Sequence, residues 1–388
     1  MDLTKSGVPA AVRFREWLIE KALMLAGVSS VVITLGIVGM LVWETIPFFT
    51  IQSEALSVPR EVEPGAIVSR VLKQTGDRVE KHGVVAELKN PDGKLLEVTS
   101  PHDGKITSLN AVVGQPPVQG SEGLAPIAIV DWRVGFFDFF GDTQWTPAFS
   151  DKRFGIWALI CGTFVTTLVA IIVAVPVGTI TAIWLSEYCK SNVREVVKPV
   201  LELLSAVPTV VYGYFALLAV TPVLQWLFVK VGLEPLPVFN MLSAGLVMGV
   251  MIIPYVASLS EDAMRAVPMQ LREGSYAMGA TRLQTAVKVL LPAAFSGVTA
   301  AYILAFARAI GETMIVAIAA GQQPIFTADP TREGQTLTAY IVGISKGDTP
   351  WGSLLYRTIY ACGLTLLVIT LLFNLAGYYI RKRYREQY

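Results

Sequence analysis

Two charged side chains stand in an apolar run where charge is costly: Arg308 and, four residues on, Glu312, in the stretch AFARAIGETMIVAIAAG. A charge at the centre of a membrane-spanning helix costs roughly 2.5–3.5 kcal/mol even on the lenient insertion scale, so Arg308 should face a water-lined cavity or a partner. A guanidinium stays charged throughout the physiological range and presents a planar donor fork matched to the oxygens of a tetrahedral oxyanion. Arg308 therefore reads as a contact on an anion path. Glu312, one helical turn away on the same face, would orient the arginine and keep the anion from binding too tightly to leave. The plainer alternative is a structural ion pair between helices. Arg357 also lies in an apolar block, near enough to its start to snorkel outward.

Other chemistries lack their residues. No Gly-rich phosphate loop followed by Lys and Ser or Thr occurs, which excludes ATP binding of the P-loop kind. The two histidines, His82 and His102, both lie outside the apolar blocks. Without a membrane histidine no Ser-His-Asp arrangement is available, and the chain does not read as an enzyme. His82 and His102, with Asp103 beside the second, read as solvated turn residues, a metal site being the lesser alternative; neither metal nor cofactor is expected. Cys161, Cys189 and Cys362 lie in or beside apolar blocks and read as packing residues.

A second stretch able to act is LREGSYAMGATRLQTAVKVLLP, Leu271 to Pro292, a polar island between two apolar blocks. Gly279 suits the left-handed conformation that ends a helix, and Thr281 with Gln284 has the spacing of a capping box that starts another. Two short helices at an angle make a rigid knob for a partner's groove. Arg272, Glu273, Gly279, Ala280 and Pro292 are its candidate contact residues.

The elements that must hold these residues are membrane helices. With 53% hydrophobic and 16% charged residues in 388, the chain is too apolar for an ordinary soluble protein. Six blocks, about 22–46, 155–185, 199–229, 238–260, 293–320 and 351–380, each exceed the roughly 20 residues that cross a bilayer core. Pro176, Pro208, Pro222, Pro254 and Gly311 interrupt several, which membrane helices tolerate when neighbours satisfy the freed backbone. The first block is too long for a signal h-region and reads as a retained helix. With the N-terminus inside, fifteen Lys and Arg fall in inner flanks (Lys5, Arg13, Arg15, Lys21, Lys190, Arg194, Lys198, Arg265, Arg272, Arg282, Lys288, Arg381, Lys382, Arg383, Arg385) and three in short outer loops (Lys230, Arg332, Lys346). Both termini and the 261–292 loop are therefore expected inside. A net charge of +1 hides this asymmetry, and nothing points to nucleic acid.

Between the first two blocks lies a polar, turn-rich segment. Its halves, Gly65 to Leu88 and Gly104 to Ile129, each run strand, Gly turn, Val, Gly, strand, and can close into a flattened barrel. The expected division is a cytoplasmic segment 1–21, a first transmembrane helix 22–49, an outer insertion 50–153, and a polytopic transmembrane domain 154–388 carrying the loop 261–292.

The spacing Glu273, Gly279, nine residues, Val289, one residue, Leu291-Pro292 resembles the cytoplasmic coupling loop of ABC-importer permeases, with Gly274 and Ser275 where that family favours alanines. The insertion resembles the lipoyl or biotinyl barrel-sandwich, its hairpin LKNPDGKLLEVTSPHDG carrying Lys94 about one residue from the modified position, so no prosthetic group is expected. ARAIGETM and LSEYCKSNVREVVKPVLELLSAVPTVVYGYFALL are similar to PstC-type permeases of bacterial phosphate ABC importers. That resemblance implies an all-α polytopic type I permease fold of six transmembrane helices with a small all-β extracytoplasmic insertion, in the bacterial inner membrane. It implies Arg308 and Glu312 on the phosphate path and Glu273 to Gly279 at the ATPase contact. It also implies a second permease (PstA-like), ATPase subunits (PstB-like) and a periplasmic phosphate-binding protein (PstS-like) as partners. The alternatives are a permease for phosphonate, sulfate or molybdate, or a membrane-anchored assembly or adaptor protein.

Overall fold

The structure, a computed structural model, describes residues 10–59, 61–117, 119–120, 123–149 and 152–383; Lys5 and Arg385 of the basic flanks lie outside them. A single long helix, α1 (Ala10–Thr45), leads into a β unit with nine strands among the described residues. A short helix α2 (Phe136–Gly141) follows, then the helical body: α3 (Trp157–Ile183), α4 (Ser191–Ser205), α5 (Thr209–Phe215), α6 (Thr221–Lys230), α7 (Met241–Arg265), α8 (Met269–Ala277), α9 (Arg282–Thr285), α10 (Leu291–Ala293), α11 (Phe295–Ile310), α12 (Met314–Ala319), α13 (Leu337–Lys346) and α14 (Leu354–Arg383). Among the described residues five helical stretches are long and apolar enough to span a membrane, and a sixth span arises only if the pair Arg282–Ala293 and Phe295–Ile310, bent by 78°, is taken as one.

Two of the apolar blocks differ from the sequence expectation. The block 199–229 is not one helix: its first residues belong to α4, which starts at Ser191, carries Pro199 inside and buries no residue, while the span itself runs from Thr209 to Lys230. Proline ends the one and opens the next, since Pro208 cannot donate and its φ of −55° suits a helix start. The block 293–320 is broken after Ile310 and resumes as the six-residue α12.

Helices α3 and α7 form the centre. Glycine makes their close approach possible: a Cβ on Gly249 would lie 2.8 Å from the Ala170 carbonyl oxygen, and one on Gly245 2.7 Å from Val169. Small residues at such contacts let two backbones approach and gain dispersion contact where lipid offers no hydrophobic driving force. Asn240, fully buried, starts α7 by accepting from the Ser243 N–H at 2.7 Å. Around this pair pack Ala305 and Ala309 of α11, Ile315 and Ala319 of α12, and Ala216 at the α5–α6 junction.

The β unit comprises β1 (Ile51–Leu56), β2 (Ile67–Val71), β3 (Arg78–Val79), β4 (Val84–Lys89), β5 (Leu95–Thr99), β6 (Gly104–Leu109), β7 (Gln119–Gly120), β8 (Gly123–Leu124) and β9 (Ala128–Arg133). Sheet β1-β9-β6-β3 and sheet β2-β4-β5 share a core of Val68, Val85, Leu88, Ile106 and Val130, and β7-β8 is a separate hairpin. Lys94 closes the β4–β5 turn and places its Nζ 3.0 Å from Glu61 Oε2 on the surface. His102 is not the solvated residue expected of it: it is buried and stacks on Trp132, with ring centroids 3.7 Å apart. Its Nε2 lies 3.3 Å from Glu54 Oε2, and Lys152 Nζ lies 2.6 Å from the other carboxylate oxygen. His102 and then Lys152 hold the Glu54 carboxyl down at about 2, against the opposing effect of burial.

Two outcomes are expected. Gly249→Leu should lower the yield and melting temperature of purified protein, since the carbonyl it would strike cannot yield, while Gly274→Ala, with open space around it, should leave both unchanged. Because the folded-state pKa of Glu54 is depressed below its usual 4.5, its contribution is present above that value and is lost as pH falls toward about 2. Hydrogen exchange of the β1–β9 ladder should accelerate over that window, and Glu54→Gln should flatten the dependence.

Candidate functional site

The first candidate region is the break after α11. Arg308 sits in the last turn of α11, on the exposed surface of the chain, and among the described residues its guanidinium has no ion-pair or hydrogen-bond partner. A cation in the last turn is favoured by the negative end of the helix dipole. The expected stacking of Glu312 beneath Arg308 does not occur. The helix ends first, at Ile310, and the Gly311 N–H turns back to the Ala307 carbonyl. Glu312 is buried and serves the next helix instead: its Oε1 accepts from the backbone N–H groups of Met314 and Ile315 at 3.1 and 3.4 Å. Its own carbonyl accepts from the Thr338 hydroxyl of α13 at 2.6 Å. Those N–H groups would be orphaned at the start of α12, and a carboxylate is the strongest acceptor for them. So Arg308 and Glu312 flank one helix break, the first unpaired and the second committed to holding the break's shape.

The second region is the knob from α8 to α10. Helix α8 ends as the residue types require: Gly279 takes φ +81° and its N–H bonds the Tyr276 carbonyl, while the Ala280 N–H bonds that of Ser275. Thr281 and Gln284 form the reciprocal capping box that opens α9. Across the angle, the Ser275 and Thr285 hydroxyls meet at 2.9 Å. Glu273, Gly279 and Pro292 are exposed, Ala280 is half-buried, and Met278 projects with 88% exposure.

Arg272 does not share that outward surface. Its guanidinium turns inward, 3.0 Å from Glu187 Oε1 and donating to the Met264 carbonyl at 2.9 Å, with little of either side chain exposed. Tyr276 donates to the other oxygen of Glu187 at 2.8 Å, and its phenol is pushed up by partial burial and by that carboxylate. Glu187 lies in the π-helical turn Trp184–Tyr188 that ends α3, and Met264 lies at the end of α7. The knob is thus bolted to the two central helices at their shared end.

A second buried carboxylate was missed in the sequence. Glu261 of α7, fully buried, receives Arg194 and Lys198 of α4 at 2.8 Å each, with Arg265 at 3.7 Å. Lys198 also pairs with Asp262. In the sequence Arg194 and Lys198 signal only an inner flank; their spacing of four residues, facing an acidic pair ending an apolar helix, was the available sign of a docking face.

Residues 174–386 match the family described as binding-protein-dependent transport system inner membrane component. Among similar proteins, a probable ABC transporter permease protein, YqgH, of Bacillus subtilis is 37% identical over 250 residues, covering 64% of this chain and 79% of that protein. A probable phosphate transport system permease protein, PstC, of Methanocaldococcus jannaschii is 29% identical over 265 residues, covering 64% and 82%. The phosphate transport system permease protein PstC 1 of Mycobacterium tuberculosis is 32% identical over 277 residues, covering 63% and 81%.

Removing one partner of a buried ion pair costs about 3–5 kcal/mol, because the other charge is left uncompensated. Glu187→Ala should therefore loosen the knob without unfolding the body: amide exchange across Met269–Ala277 should rise by orders of magnitude, while that of α7 stays slow.

Proposed function

The chain belongs to the family of binding-protein-dependent transport system inner membrane components, and from that premise we propose that it is one permease half of an ATP-driven importer of inorganic phosphate. It works as a multi-pass transport subunit and not as an enzyme, ATP hydrolysis residing on separate subunits. The observation that carries the substrate assignment is Arg308, an unpaired guanidinium in a membrane helix beside a break. Two of the relatives bear names of phosphate permeases, which favours phosphate among the tetrahedral anions that an arginine alone would accept.

On this reading both termini and the knob face the cytoplasm, in the inner membrane, and the β unit at 50–153 faces outward. A second, PstA-like permease completes the path against the exposed surface of α11, so that Arg308 lines water rather than lipid. The anion meets Arg308 through its planar fork and leaves because the contact is single and solvated. Glu312 acts as a positioning residue: by capping α12 and holding α13 through Thr338, it keeps the chain broken where Arg308 must project. PstB-like ATPases grip the exposed Glu273, Gly279 and Pro292 with the half-buried Ala280 among them, while Arg272 ties that ridge to α3 and α7. A PstS-like binding protein delivers phosphate at the outer face, where the β unit offers it a contact. Alternation of access follows when ATP binding draws the ATPases together and favours one of two arrangements.

Arg308→Gln retains hydrogen bonding but deletes the fixed charge, and should abolish phosphate uptake in cells while the complex still assembles and the binding protein still captures phosphate. Arg308→Lys should be intermediate, because it restores the charge without the fork. Normal uptake by Arg308→Gln at normal expression would make the arginine structural and remove the basis for the path. Gly279→Val adds strain of roughly 1–2 kcal/mol in the left-handed region; the subunit should insert but copurify less ATPase. Undiminished copurification with substrate-stimulated hydrolysis intact would sink the docking role.

A further inference from the structure

Helix α2, sequence FFDFFG, separates two unlike surfaces at the junction of the β unit and the spans. Phe136, Phe139 and Phe140 face one side and Phe137, Asp138 and Gly141 the other, the division that helical spacing imposes. On the first side runs an almost wholly apolar groove of about 560 Å³, reached by Phe49 beyond α1, Trp157 and Phe164 of α3, and Leu364 and Val368 of α14. On the other lies a pocket of about 550 Å³ whose charged lining is Lys81, Arg133, Lys152, Arg153, Asp138 and Asp142. Lys152 is held by Glu54 at 2.6 Å, and Arg153 lies 3.8 Å from Asp142. Arg133, exposed, has no ion-pair partner among the described residues.

We propose that α2 is the saddle of a specific phospholipid site, taking an anionic phospholipid from the leaflet on the β-unit side, its phosphate at Arg133 and one acyl chain in the aromatic groove. Three observations choose this occupant. The groove lies on the flanks of membrane-spanning helices, and its α14 wall from Ala361 to Ile369 rises by roughly 12 Å at 1.5 Å per residue, most of one leaflet's hydrocarbon depth. The charged pocket lies across the same helix from the groove, on its β-unit side, so one molecule straddling α2 would meet the apolar wall at one end and Arg133 at the other. Phe137, 87% exposed on the pocket side of α2, and Trp157 on the groove side, whose indole N–H donates to the Phe140 carbonyl, are the aromatic anchors expected at a membrane boundary. The charge lining favours an anion, and a guanidinium is the side chain best fitted to a phosphate diester.

Occupancy would fix α2 against α1, α3 and α14, and so fix how the β unit stands on the membrane. The test uses the assembled importer in native membranes. A photoreactive benzoyl-phenylalanine at Val368 should crosslink to phospholipid, and native mass spectrometry of the purified complex should find anionic lipid enriched over zwitterionic. Arg133→Gln should lower that enrichment about tenfold while total bound lipid stays constant, the loss of one charge-assisted contact. Leu364→Trp, which fills the groove, should lower retention of both headgroup classes. Added inorganic phosphate should displace nothing, which separates a lipid site from a free-anion site. The proposal is overturned if the Val368 crosslink goes to a protein partner, if phosphate displaces the bound species, or if both variants retain the lipid and headgroup ratio of the unsubstituted complex. None of these outcomes depends on which anion the importer carries.

Discussion

The close contact of α3 with α7 is the constraint on which the helical body depends. In hydrocarbon, apolar side chains gain little from leaving lipid for protein, so helices associate by packing density and by the few polar contacts they can make. Gly178, Gly245 and Gly249 remove the side chains that would hold the two backbones apart, and Thr163 and Thr166 return their hydroxyls to carbonyls one turn back, so neither buried donor is left loose. The other elements are placed relative to this pair. The Thr163 hydroxyl accepts from the Leu337 N–H and seats α13; Glu261 seats α4; Glu187 and the Met264 carbonyl seat the knob.

Against that rigid pair the interruption after Ile310 stands out. Irregular backbone at membrane depth survives only where protein or cavity water satisfies it. Here Glu312 and Thr338 supply the partners, and the Gly334 N–H returns to the Ala320 carbonyl at the far end of α12. The cost of burying a carboxylate is offset by two backbone donors, so Glu312 needs no cation. That frees Arg308. An arginine paired within its own helix would be neutralised before any anion reached it; an arginine left alone at the edge of a broken helix keeps its full charge for something outside the chain.

How much of this was legible in the sequence follows from how local each interaction is. The end of α8 and start of α9 were readable because Gly279, Thr281 and Gln284 act within a few residues of one another, and the strands of the β unit because alternation and Gly turns are local signals. Gly311 was legible as an interruption but read as one the helix would tolerate, not as its end: AIGET contains no proline, and what stabilises the break is a hydroxyl 26 residues later. The start of the third span was misplaced because α4 shares its apolar residues with the helix that follows, and only its ion pairs to Glu261 show that it lies apart. His102 read as a surface residue because nothing near it in sequence announces Trp132. Arg272 was read with the outward ridge, since its partner Glu187 is 85 residues upstream.

That inward turn of Arg272 gives the knob two different surfaces, and the proposed coupling follows from the difference. A partner gripping the exposed ridge can move the α3–α7 pair only if the force crosses from ridge to pair without being absorbed by side-chain motion. A lone surface salt bridge would yield, being worth about 1 kcal/mol or less. The contact here is buried and three-cornered: one carboxylate holds both Arg272 and Tyr276, one turn apart on α8, and the same guanidinium reaches the end of α7. Rotating α8 about its axis breaks at least one of these bonds, while translating it carries Glu187 and Met264 along. Packed interiors transmit displacement because they are nearly incompressible, so a translation of the knob becomes a translation of the central pair. Ala305 and Ala309 lie on the face of α11 that packs against this pair and Arg308 on the exposed face, so on the proposed reading a shift of the pair reaches the anion contact through α11 itself.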